Sequence, residues 1–304
     1  MRLVTFEAMS RRSLGAELDG LVVDLAALDP VIPKDMVQFL EGGGSALEAA
    51  RNALAVVQAA GDRRVLRSQD GSRVAFEREE VTYLAPIPRP PKIMAIGLNY
   101  LRHIEELAEA GIEPTKLPFF FSKLPSTVIG PNEPVVLPTL SQEVDYEIEL
   151  ALVLGMRAKH VSAKDAMKYL AGYTILNDVS ARDIQLVDNQ ITLGKNFDTF
   201  APMGPCLVTA DEIPDPHSLT LTLRLNGVVM QHDSTRNLVH RIPEMLSFLS
   251  EIMTLEPGTV VATGTPAGVG FRRKPPVFLQ PGDVMTLEID GLGLLENPVI
   301  AENP

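Results

Sequence analysis

The feature that most limits how this chain can fold is the rhythm of its second half. Short runs rich in Val, Ile, Leu and Thr are cut at close intervals by turn signals: Asn226-Gly227, Pro257-Gly258, Pro281-Gly282-Asp283 and Asp290-Gly291. Asn-Gly and Asp-Gly supply the positive φ of tight hairpin turns, so the runs between them predict short strands. Helical spacing is confined there to 99–110 with Gly111 as a stop, to 163–170 and to 242–252. Upstream, 3–6 and 21–25 read as strands and 45–60 as a helix closed by Gly61. Between the two parts lies Pro86-Ile87-Pro88-Arg89-Pro90-Pro91, which is stiff because proline fixes its own φ and restricts its predecessor. The expected organisation is a small N-terminal α/β domain over 1–85 and a larger domain over 86–304, together a β-rich α+β fold.

A chain of 304 residues with 45% hydrophobic and 22% charged residues can bury a full core. Its net charge of -12 argues against a nucleic-acid partner, since phosphate binding needs clustered Lys and Arg. Small anions are still admitted where a metal or a few cations meet them. No run of about 18 or more apolar residues suggests a membrane span. The opening Met1-Arg2-Leu3-Val4-Thr5-Phe6-Glu7 lacks the apolar run and cleavage site of a secretory leader, so a cytoplasmic location is expected. The single cysteine, Cys206, excludes an intrachain disulfide and a multi-cysteine zinc site. Its apolar neighbours make it a buried small hydrophobe rather than a nucleophile.

In Val144-Asp145-Tyr146-Glu147-Ile148-Glu149-Leu150, acids recur at every second position among apolar residues. On a strand, Asp145, Glu147 and Glu149 would point the same way. Carboxylates that close repel, and in apolar surroundings they raise one another's pKa unless a cation neutralises them. Asp178 ends another apolar run, Tyr173-Thr174-Ile175-Leu176-Asn177-Asp178, and could meet the pair across strands. An all-oxygen set points to a hard ion, Mg²⁺ or Mn²⁺ before Ca²⁺. A solvated strand face has the same spacing, so the pattern alone leaves both readings open.

His103 and Glu106 stand three apart on the helix expected from Asn99, where a carboxylate can orient and charge-stabilise an imidazole. An exposed helix carries such pairs for solubility alone. Lys195, beside a Phe-rich turn, reads equally as a surface residue. The Gly264, Gly268 and Gly270 loop would let backbone N–H groups and the Thr265 hydroxyl approach a carboxylate, or is simply a turn. Phe271-Arg272-Arg273-Lys274-Pro275-Pro276 adds positive charge after that loop, suited either to a second substrate carboxylate or to a solvated turn.

Beyond Pro86 the chain resembles the fumarylacetoacetate hydrolase family in six ordered blocks. They are Lys92-Ile93 with Gly97-Leu98-Asn99-Tyr100 and His103; Phe120-Phe121-Ser122-Lys123; Asp145-Tyr146-Glu147-Ile148-Glu149; and 172–183, which contains Asn177-Asp178-Val179-Ser180-Ala181-Arg182-Asp183. Lys195 with Phe197-Asp198-Thr199-Phe200, and Thr263-Gly264-Thr265-Pro266-Ala267-Gly268-Val269-Gly270, complete the set. The resemblance implies a mixed β-sandwich roll, usually homodimeric, with Glu147, Glu149 and Asp178 as metal ligands. It puts the water-activating pair of a closing lid on His103 and Glu106, with Gly97 and Gly111 as candidate hinges. Lys195 becomes a substrate-contacting cation, Thr265 and Gly264 contacts to the substrate carboxylate, and Ser122, Lys123 and Arg182 residues of the site wall.

The implied substrate is a small 2-oxo acid that chelates the metal through its carboxylate and keto oxygen. The implied activity is hydrolysis of a carbon–carbon bond in 2,4-dioxo acids (acylpyruvates) through a metal-stabilised pyruvate enolate. Isomerisation or decarboxylation of 2-oxo diacids, as in aromatic catabolism, is the alternative, and a non-catalytic metal-binding relative is a third.

Overall fold

The computed structural model describes residues 1–61, 63–108, 117–187 and 190–303. Among these, strands dominate. A 12-stranded sheet runs in the order Ala75–Glu77, Leu21–Asp24, Arg11–Leu18, Arg2–Ala8, Ala201–Thr209, Leu170–Asn177, Ile148–Leu154, Val260–Ala262, Ile93–Gly97 and Phe119–Lys123, with two short strands pairing to its flanks. The sheet is mixed: Val260–Ala262 lies parallel to Ile93–Gly97, whereas the central neighbours are antiparallel. A five-stranded sheet comprises Val228–Ser234, Thr220–Leu225, Val284–Ile289, Gly293–Ala301 and Val135–Leu137. Asn226 and Gly227, both at positive φ, make the tight turn between the first two of these strands.

The strand Ile148–Leu154 is buried along its whole length. Its Ile148, Leu150, Leu152 and Leu154 join one apolar core, and Ala151 and Val153 join the other, with Met36, Phe39 and Ala53 of the N-terminal helices. A strand covered on both faces reads as a continuous apolar run, so one acid within it, Glu149, is conspicuous. The helix Gly43–Ala59 supplies much of that second cover, with Ala50, Ala53 and Val57 inward. Because Arg2–Ala8 is hydrogen-bonded to Ala201–Thr209, residues 1–85 and 86–304 share one sheet. The two remain proposed units, with the proline-rich stretch between them.

Three expectations change. The helix expected over 163–170 is a 3-10 turn, Ala166–Tyr169, because Leu170 is already drawn into the strand Leu170–Asn177 and Asp165 bonds locally to Ser162 and Lys168. The helix from Asn99 begins at Leu101 and is described to Ala108; Gly111 lies outside the described residues. Gly97 is a strand residue, where a Cβ would come 2.9 Å from the Phe119 ring, and the sharp turn into the helix falls on Leu98 at φ 57°. The helix Ile242–Ile252 and the β-rich character are as read.

Candidate metal centre and active site

The acid-bearing segment is two strands rather than one. Val144–Asp145 pairs with Ser180–Ala181, the chain leaves strand geometry at Tyr146 and Glu147, and Ile148–Leu154 then pairs with Leu170–Asn177. That register sets Ile148 opposite Asn177, which makes Glu147 and Asp178 the next facing pair. The Asp178 N–H donates to the Glu147 carbonyl at 2.9 Å, and the Asn177 side chain accepts from the Glu147 N–H at 3.0 Å. Glu147, Glu149 and Asp178 are brought together, each with a ligand atom within 4.8 Å of the others, and all three are buried.

Asp145 departs from the expected common face. It turns away to accept from the Gly270 and Phe271 N–H groups at 2.7 and 3.0 Å, so it ties down the glycine loop instead of joining the cluster. The two-residue period holds only while the strand continues, and here it breaks.

Three buried cations answer the acids. Lys195 Nζ bridges Glu147 Oε2 at 2.8 Å and Asp178 Oδ2 at 2.7 Å. Arg182 meets Glu147 Oε1 at 2.6 Å and Asp145 Oδ2 at 3.1 Å. Lys123 Nζ lies 2.7 Å from Asp178 Oδ1 and donates to the Val179 and Lys195 carbonyls. The Lys123 contact is an ion pair poorly aligned for hydrogen bonding, and it leaves Asp178 Oδ1 without a hydrogen-bond partner. Ser122 lends its carbonyl to the Asn196 amide at 3.1 Å, on the strand that presents Lys123.

These charges separate the acids. Burial pushes the Glu147 carboxyl up, yet Lys195, Arg182 and His103 outweigh it and hold the group well below its ordinary range. Burial drives Glu149 far above the ordinary range, and the charges of Asp178 and Glu147 add to the shift. Burial pulls at Lys195 too, but its two carboxylates keep its pKa raised, whereas Lys123 falls because burial dominates.

This donor set fits a hard divalent cation. It is all oxygen, it is buried, and Glu149 is destabilised as an anion for want of positive charge. With all four buried carboxyls (Asp145, Glu147, Glu149, Asp178) ionised, as a bound cation would require, the three cations leave the pocket one charge negative. A divalent ion would reverse that sign and suit an anionic substrate.

The glycine loop closes one wall. Gly264 N–H donates to Glu149 Oε2 at 2.7 Å, and the loop can lie this close only with glycine at φ 92°, since a Cβ would reach 2.9 Å from Asn99 Cβ. The Thr265 hydroxyl donates to the Ile148 carbonyl at 2.9 Å and accepts from the Gln231 amide at 2.8 Å, so its proton is committed within the protein. Against this loop lies the helix Leu101–Ala108, where buried His103 Nδ1 is 3.0 Å from Glu106 Oε2 and the Gly268 N–H donates to Glu106 Oε1. Asn99 anchors its entry: Oδ1 accepts from the His240 N–H, and Nδ2 donates to the His240 and Thr263 carbonyls.

Sequence reasoning gave no site role to Gln231, Asn99 or Phe271. Gln231 lies on a strand of the second sheet and pins both Thr265 and the Ile148 N–H. Phe271 puts its ring 4.4 Å from the Arg182 guanidinium. Nothing in local spacing signals either residue, because each acts on an element distant in the sequence.

Comparison with known proteins agrees with this architecture. A model of the fumarylacetoacetate (FAA) hydrolase C-terminal domain matches residues 92–300. The chain is 45% identical over 306 residues to the human mitochondrial oxaloacetate tautomerase FAHD2A, covering 99% of this chain and 92% of the relative. The rat protein of that name is 44% identical over 305 residues, with the same coverage. Among solved structures, maleylpyruvate hydrolase from Sphingobium sp. SYK-6, in complex with manganese (II) ion and pyruvate, is 30% identical with a TM-score of 0.79 over both whole chains. The 2-hydroxyhepta-2,4-diene-1,7-dioate isomerase from Mycobacterium marinum is 31% identical with a TM-score of 0.73, again over both whole chains.

These relatives correct the cytoplasmic expectation, since the matched tautomerases are mitochondrial proteins. Residues 2–8, read for a leader in the sequence, serve here as a strand of the main sheet. By family model, by sequence and by fold, the chain belongs to the fumarylacetoacetate hydrolase family and is one of its enzymes.

Proposed function

We propose that this chain is a divalent-cation-dependent enzyme that moves a proton at carbon 3 of a short 2-oxo acid, interconverting the keto and enol forms of an oxaloacetate-type diacid. The observation that carries this reading is the buried cluster of Glu147, Glu149 and Asp178 with the His103–Glu106 pair against it. The three acids would hold Mg²⁺ or Mn²⁺, which when bound draws electrons from the 2-oxo group of the substrate and acidifies the adjacent C–H. Glu106 fixes the His103 ring through Nδ1, leaving Nε2 to take the proton from carbon 3 and to return it in the reverse direction. Lys195, held protonated by its two carboxylates, adds positive charge beside the oxygen that becomes negative. Lys123 and Arg182 keep Asp178 and Glu147 ionised and in place. The Gly264 and Thr265 segment forms the wall behind the substrate carboxylate, with Ser122 on the strand that carries Lys123. The helix Leu101–Ala108 acts as the lid that brings His103 in and shuts water out. A homodimer belongs to this reading on family grounds.

Hydrolysis of an acylpyruvate is the second reading, with His103 activating water. The pyruvate-bound maleylpyruvate hydrolase favours it, at 30% identity. The tautomerases, at 44% and 45% across 99% of this chain, weigh more heavily toward proton transfer.

The test uses chelator-treated protein given Mg²⁺ or Mn²⁺, with enol oxaloacetate followed by ultraviolet absorbance and acetylpyruvate followed by NMR. Faster loss of the enol without carbon–carbon cleavage supports the proposal. Pyruvate with acetate moves the assignment to hydrolysis, pyruvate with carbon dioxide moves it to decarboxylation, and no turnover of either compound overturns it.

A further inference from the structure

We infer that Arg272 receives the far carboxylate of the substrate and so selects 2-oxo diacids over 2-oxo monoacids. The inference rests on the reading above and adds to it the residue that selects the diacid. Arg272 ends the short turn Gly270–Arg272, whose Gly270 and Phe271 N–H groups are held by Asp145. The Phe271 ring lies 4.4 Å from Arg182, and Arg182 bonds Glu147, so the backbone at Arg272 is fixed two side chains from the acid cluster. Its own side chain passes the Phe271 ring, 5.9 Å from its centroid, and reaches the lid, where the guanidinium donates to the Glu106 carbonyl at 2.9 Å.

That single neutral acceptor leaves the group incomplete. Nε is buried, and no described residue accepts from it. A guanidinium offers five N–H donors in a planar fork that matches a carboxylate's two oxygens. The adjacent basic residues differ. Arg273 is spent on the Gly268 and Met230 carbonyls, and Lys274 is exposed.

Arg272 also lines a shallow cavity of about 490 Å³ with Arg102, Lys274, Glu105 and Glu106. Glu106 is already turned to His103 and the Gly268 N–H, so three cations face one uncommitted acid. On a chain of net charge -12, this is a local site for an anion. Glu106 borders this cavity and also holds His103, so on the proposed reading, with the keto oxygen and near carboxylate at the acid cluster, the other end of the substrate is assigned to this side of His103.

The test is carried out on the full-length, Mn²⁺-loaded protein as wild type, Arg272→Gln and Arg272→Lys. Exchange of the carbon 3 protons in D₂O is followed by NMR for oxaloacetate and for 2-oxobutanoate, which has a methyl in place of the far carboxylate. Arg272→Gln should lower the diacid-to-monoacid ratio of kcat/KM by about 10- to 100-fold, the scale of a lost charge-assisted hydrogen bond. Arg272→Lys should restore part of that ratio. Equal losses on both substrates would make Arg272 a fastener of the lid and overturn the inference, as would an unchanged ratio. Calorimetric binding of malate and 2-hydroxybutanoate separates this inference from the reaction it rests on. If the wild type exchanges neither substrate, the proton-transfer reading falls, while a malate preference that Arg272→Gln removes still supports the carboxylate subsite and equal binding refutes it.

Discussion

The acid cluster and the lid helix hold their ionisable groups by opposite means. Glu149 and Asp178 sit within or at the end of strands paired at the centre of the main sheet, and every acid there meets a donor from another element. The proposed lid is the helix described over Leu101–Ala108. It is tied to the body chiefly by Asn99 at its entry and by the Gly268 N–H and Arg272 on Glu106. In the proposed reaction, charge that must stay fixed is built into the sheet, whereas the group that must reach and leave a carbon atom rides on this helix.

That contrast can be broken most sharply at Glu149. Glu149→Ala should weaken Mn²⁺ binding by more than the ~10- to 100-fold typical of residues behind the ligands, and turnover should vanish with it. His103→Ala should cut turnover by about 10²- to 10⁴-fold while Mn²⁺ affinity measured by calorimetry stays as in wild type. A parallel fall in affinity would mean that the two regions are not separate. Lys195→Met leaves Glu147 and Asp178 facing each other without their shared cation, and should cost the metal-free protein about 3–5 kcal/mol in denaturant unfolding. Asn99→Ala strands the His240 N–H and the Thr263 carbonyl, at about 1–3 kcal/mol for each buried group left unpaired. Hydrogen exchange should then quicken in 101–108 and remain slow in Ile148–Leu154.

What could be read before the fold was known divides along the same line. Turn chemistry is local, so Asn226-Gly227 marked its hairpin and the helix Ile242–Ile252 was found at its true bounds. The resemblance singled out the three acids, and antiparallel pairing of a strand that begins beside Glu147 and carries Glu149 with one that ends beside Asp178 brings them together. The spacing of Asp145, Glu147 and Glu149 misled, because a kink at Tyr146 and Glu147 sends the first acid to the glycine loop. The partners of the acids were the hardest to see. Lys195 reads as an isolated surface cation, and it is buried because the Phe121 ring and two carboxylates distant in sequence enclose it at the end of a short helix. Gln231 lies 34 positions before the Thr265 hydroxyl it fixes, on another sheet. Such pairings depend on which elements pack together, and no periodicity within one segment encodes them.

The central claim is that Glu147, Glu149 and Asp178 form one divalent-cation site. Its most direct test is Mn²⁺ titration of chelator-treated protein by electron paramagnetic resonance, comparing wild type with Glu149→Gln, which keeps an acceptor for the Gly264 N–H. The account predicts one tightly bound ion per chain in the wild type and its loss in the variant with the fold intact. Equal Mn²⁺ binding by the two proteins, or none by either, would contradict it.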